Sequence, residues 1–191
     1  MSQKRLSRRS LLTYGAAGAG LVLAPAGAAA QPRSSFQAAR HPEDAWFDAL
    51  PGRHRVFIDA STVRGAGEAL LYANNLYEAN KAGYGLVDAD TAIVVCMRHF
   101  ATAFAFNDAV WAKYGPIMAT MLEFVDPKTK QPPKTNLLTS AEYGMALPSL
   151  GNTIDGVRAR GTRFAVCDMA TRFFAGQVAG ATKGTPDAVY R

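Results

Sequence analysis

The chain has 191 residues, with 21 basic and 15 acidic side chains and a formal net charge of +6. Four of the basic groups, Lys4, Arg5, Arg8 and Arg9, lie in the first thirty residues, which hold no acidic one; without them 17 basic side chains face 15 acidic ones, and the charge falls to +2. A charge that small, with no interleaved basic and aromatic stripe, argues against a nucleic-acid partner, and the remaining 161 residues suit one domain with one core.

In chain order, Ser7-Arg8-Arg9-Ser10-Leu11-Leu12 matches the twin-arginine export pattern. The apolar stretch that follows, from Tyr14 to Pro25, is rich in Gly and Ala and shorter than the roughly 20 apolar residues that a bilayer span requires. Ala28-Ala29-Ala30 offers a small-residue cleavage site. Residues 1–30 therefore read as a removable signal, which predicts a periplasmic protein whose first partner is the twin-arginine translocase and which keeps no stable membrane anchor after cleavage. Such a substrate folds in the reducing cytoplasm, so Cys96 and Cys167 read more readily as thiols than as a bridge.

Residues 31–54 form a polar leader, with Pro32, Pro42 and Pro51 and a short amphipathic piece around Trp46, Phe47 and Leu50. The apolar run over 55–60 predicts a buried strand. Gly65-Ala66-Gly67 is then expected to form the turn that opens a helix over 68–82, ended by Gly83 and Gly85. Leu70 stands where a dinucleotide-binding G-x-G-x-x-G needs its third glycine, which favours a tight turn over a phosphate site.

A second strand is expected over 91–98, the most β-like segment of the chain. After a Phe- and Ala-rich stretch over 99–106, Asn107 is a plausible cap for a helix with Trp111 and Tyr114 on one face, which Pro116 should break or restart before a second piece over 117–124. Residues 126–134, with Pro127, Pro132 and Pro133, predict a surface loop. A short helix over 150–160, a strand over 162–167 and a helix over 169–181, with Phe173, Phe174 and Val178 facing inward, complete an α/β domain over 55–191 with a mainly parallel sheet. Thr185-Pro186-Asp187 looks like a further helix start, yet four residues follow it, and the expectation is that a last helix and strand are lacking.

Two groups of side chains carry chemistry. Cys167 ends a predicted parallel strand, the side of an open α/β sheet where ligands bind; the helix N-terminus after it favours negative charge on the sulfur, and Asp168 beside it opposes that charge. The soft and imidazole donors Cys96, Met97 and His99, with Cys167 and Met169 across the sheet, suggest a metal or haem site centred on His99 with Cys96. Strand alternation, however, sends Cys96 and Met97 to opposite faces. No motif names a cofactor, and H-E-x-x-H, C-x-x-C and the nucleophile-elbow pattern are missing from the sequence.

The order of elements from Arg55 to Ala181, and above all Gly156-Val157-Arg158-Ala159-Arg160-Gly161-Thr162-Arg163-Phe164-Ala165-Val166-Cys167, resembles the DsrE/DsrF-like family. The resemblance implies a flavodoxin-like three-layer sandwich, assembly into homo-oligomers, and a persulfide carried on the cysteine that matches, Cys167, with a sulfur donor or acceptor protein as partner. The Pro-rich insertion and the lacking last strand depart from the family pattern. Two other functions fit the residues alone: a non-enzymatic oligomeric binding or assembly module, and a metal- or haem-binding protein using His99.

Overall fold

Three apolar runs build the sheet of the computed structural model, which describes residue 39 and residues 41–191; the expected signal, with Arg8 and Arg9, lies outside the described residues. Strands β1 (His54–Ala60), β2 (Thr91–Met97) and β3 (Arg163–Val166) are parallel and lie in the order β1-β2-β3. The central strand is buried at every position except Cys96, as a parallel strand flanked on both sides should be. Helix α1 (Ala45–Asp48) precedes the sheet, α2 (Val63–Tyr84) joins β1 to β2, and α3 (Asp108–Leu122) with α4 (Ile154–Ala159) lies between β2 and β3. Helices α5 (Asp168–Thr182) and α6 (Pro186–Tyr190) follow. The unit spanning Glu43–Arg191 is thus α/β with a parallel sheet, as the alternation of elements implied.

Side-chain alternation divides the sheet into two unequal faces. Val56 and Ile58 of β1, Ile93, Val95 and Met97 of β2 and Phe164 of β3 share one core with Leu70 and Tyr77 of α2 and with Trp111 and Met118 of α3. The opposite face of β1 carries Arg55, Phe57 and Asp59, all exposed. Phe57 and Val94 line a cleft there with Phe47 and Leu50, next to α1.

Several elements depart from the pattern read in the sequence, each for a packing reason. The turn after β1 is Ser61-Thr62, and Gly65 and Gly67 are helical: the Thr62 hydroxyl caps α2 by accepting from the Gly65 N–H at 2.9 Å, a contact worth about 1 kcal/mol. Gly67 is small because a loop lies against it; a Cβ there would come within 3.0 Å of the Ser149 nitrogen. Helix α3 is capped by Asn107 as expected, but it runs through Pro116. Pro116 and Ala112, whose carbonyl the proline cannot bond, are both exposed, and Trp111, Gly115, Met118 and Leu122 hold both halves on the core. Helix α4 starts at Ile154 rather than 150, since Leu150 and Gly151 adopt left-handed backbone at φ 49° and 83°.

The Pro-rich segment is docked rather than loose. Asp126 caps its turn by accepting from the Lys128 and Thr129 N–H groups and from the Tyr143 hydroxyl, and Pro133 is buried beside Gly115. Burial, then the Asp126 carboxylate, pushes the Tyr143 phenol up to about 12. In α5 the inward face is Phe174, Ala175, Val178 and Ala179, whereas Phe173 is half exposed, contrary to expectation. Thr185 and Pro186 do start a helix, α6, which packs on α5. Among the described residues no helix is long and apolar enough to cross a membrane.

Candidate functional site

The C-terminal ends of the three strands bring together most of the chemistry-bearing side chains. Cys96 of β2 pairs in register with Asp59 of β1 and Ala165 of β3. Two residues further along the strand direction, Arg98 and Cys167 repeat the same side-chain parity. Arg98 reaches back to Asp59, donating from Nε to Oδ1 at 2.6 Å and from Nη2 to Oδ2 at 2.7 Å. This two-pronged contact is the strongest geometry open to the pair. It holds the Asp59 carboxyl below the usual carboxylate range.

Cys167 leaves β3 and stands at the N-cap of α5. Its N–H donates to the Met97 carbonyl at 3.1 Å, and its own carbonyl accepts from the Thr171 N–H and hydroxyl, both at 3.0 Å. The backbone at this thiol is therefore fixed from both sides. Neighbouring Asp168 is already engaged: the Tyr190 hydroxyl, then Arg172, hold its carboxyl below the usual range.

A cleft of about 360 Å³ opens at this edge, lined by Arg98, His99, Phe100, Cys167, Met169 and Phe173. His99 sits in it on left-handed backbone (φ 52°) with its ring stacked on Phe100, centroids 4.3 Å apart. A non-glycine residue in that region costs on the order of 1 kcal/mol or more, which the surrounding contacts must offset. Met169 and Phe173 are 81% and 50% exposed and form an apolar wall.

The expected donors are only partly united. His99 and Cys167 share the cleft, while Cys96 does not line it; it lies on the sheet face beside Asp59, and Met97 points the other way into the core. Burial, then the charges of Asp59 and Cys167, pushes the Cys96 thiol up, with Arg98 opposing. The two cysteines are free thiols. Among the described residues no three His, Cys, Asp or Glu side chains gather closely enough to hold a metal ion. Sequence reasoning missed the Asp59–Arg98 pair and the exposed position of Phe173; the pair was discoverable only from the β1–β2 register.

A larger cleft, about 930 Å³, lies by Trp46, Leu50, Arg158 and Arg163, the first residue of β3, and its lining includes no cysteine or histidine. Thiol, imidazole and guanidinium meet instead at the smaller one, at the strand ends where open α/β sheets bind ligands. In comparison with known proteins, no family model, no curated protein and no solved structure matches the chain.

Proposed function

We propose that the chain is a periplasmic protein exported by the twin-arginine translocase, with a DsrE-like, flavodoxin-like fold, in which Cys167 carries sulfane sulfur as a persulfide between a donor and an acceptor. The observation that carries this reading is the position of Cys167: at the N-cap of a 15-residue helix, in a cleft shared with Arg98 and His99. A half-buried thiol in such a cleft is open to a sulfur donor. Nearby Asp168 is occupied by Arg172 and Tyr190.

The test compares the wild-type chain with Cys167→Ser after incubation with an organic persulfide, with the modified peptide mapped by mass spectrometry. The expected result is one added sulfur atom on Cys167 and none on Cys96. An unmodified Cys167 ends the sulfur-carrier reading.

A second reading, an assembly module that forms homo-oligomers, is favoured by one observation: Phe57 is 58% exposed on a parallel sheet, a type of sheet that is usually covered on both faces. If assembly uses this face, Phe57→Asp lowers the molar mass measured by light scattering. An unchanged mass removes the face from consideration.

A further inference from the structure

Resting on the sulfur-carrier reading, we infer that the cleft at Cys167 takes an organic persulfide whose substituent is uncharged and apolar rather than a sulfur donor whose substituent is anionic. Among the described residues that line the cleft, Arg98 carries the one permanent positive charge, and both its Nε and Nη2 already donate to the Asp59 carboxylate. The pair is close to neutral, and an incoming anion would have to displace Asp59 from a bidentate contact or meet its charge. The remaining wall is Phe100, Met169, Ala170 and Phe173 with the His99 ring stacked on Phe100. Met169 and Phe173 are exposed large apolar side chains that a substituent on the donor would cover. A volume of about 360 Å³ holds a small molecule with one aromatic ring.

The transfer balances without an oxidant. The Cys167 thiolate attacks the outer sulfur of R–S–SH, a new S–S bond forms on Cys167, and the donor's S–S bond breaks. The donor leaves as RS⁻ with the electron pair, and the hydrogen stays on the transferred sulfur.

The test measures the rate at which Cys167 of the full chain gains sulfur from benzyl persulfide, glutathione persulfide and thiosulfate, each rate divided by that of the same donor with N-acetylcysteine. Benzyl persulfide should be favoured about tenfold or more over both anionic donors. Phe173→Ser, and independently the more exposed Met169→Ser, should erase that preference. Equal normalised rates, or a preference for an anionic donor, overturn the assignment of ligand class and leave the sulfur-carrier reading standing. If no donor modifies Cys167, the carrier reading falls, and benzyl mercaptan titrated into Cys167→Ser then decides the ligand class alone. Shifted Phe100 and Phe173 ring resonances support it, and unshifted ones overturn it.

Discussion

Asp59 acts on two neighbours at once. Its carboxylate takes both prongs of Arg98, and its charge is the largest cause after burial that lifts the Cys96 thiol. Replacing it with Asn removes that negative charge and releases Arg98, whose own charge already favours the Cys96 thiolate. Loss of the carboxylate charge lowers the thiol's pKa, so at a fixed pH near 8 more thiolate is present. In a Cys167→Ser background, Asp59→Asn should raise the iodoacetamide alkylation rate of Cys96 roughly threefold. An unchanged rate would mean that burial alone governs this thiol. The same substitution should leave the thermal midpoint nearly unaltered, because the Asp59–Arg98 pair is about half exposed and such pairs contribute little.

At the scale of elements, two glycines have opposite roles although each lies inside a continuous helix. A Cβ on Gly115 of α3 would run into the Pro133 carbonyl oxygen, a backbone atom of the docked Pro-rich segment, while Gly180 of α5 has open space around it. Gly115→Ala should cost about 1–3 kcal/mol through displacement of that segment, and Gly180→Ala should stabilise by roughly 0.5–1 kcal/mol through helix propensity. Urea midpoints of the two variants should therefore move in opposite directions; movement in one direction would show that the Pro133 contact is slack. The same contrast explains what the sequence could disclose. Strands announced themselves as apolar runs and lie within about two residues of the expected bounds. The Asn107 and Thr185 caps were legible because a cap acts over three residues. Gly67 was misread as part of a turn because its actual neighbours, Pro148 and Ser149, lie some eighty residues away. Phe173 was misread because Phe173 and Phe174 are both apolar and only the packing of α5 decides which one is inside. Of the site, Cys167 and His99 were visible as residue types at a strand end, whereas Asp59 and Arg98, 39 residues apart, meet only through the register of parallel strands.

Across the whole molecule, Arg160 ties together parts of the chain that local structure leaves separate. It follows α4, donates from Nε and Nη2 to both oxygens of Asp88 ahead of β2, and donates from Nη1 to Asn74 and Glu78 of α2, with its guanidinium 4.6 Å from the Tyr77 ring centroid. These links span 72 to 86 residues, and the Arg160 side chain is only 22% exposed. Its hydrogen bonds to Asp88 hold that carboxyl below the usual range. Arg160→Met keeps the apolar stem and removes the charge; it should cost about 1–2 kcal/mol at neutral pH, the solvent-screened sum of partly exposed pairs and one cation–π contact. Because the folded pKa of Asp88 is depressed, the stability it contributes is present above the unfolded aspartate value of about 3.9 and is lost as the pH falls through the folded value. The gap between wild type and Arg160→Met, measured as urea midpoints from pH 7 down to pH 2.5, should hold steady above about pH 5 and narrow below pH 4. A gap that stays constant into acid would assign the role of Arg160 to packing against Tyr77 and to its neutral partner Asn74, neither of which depends on the Asp88 charge.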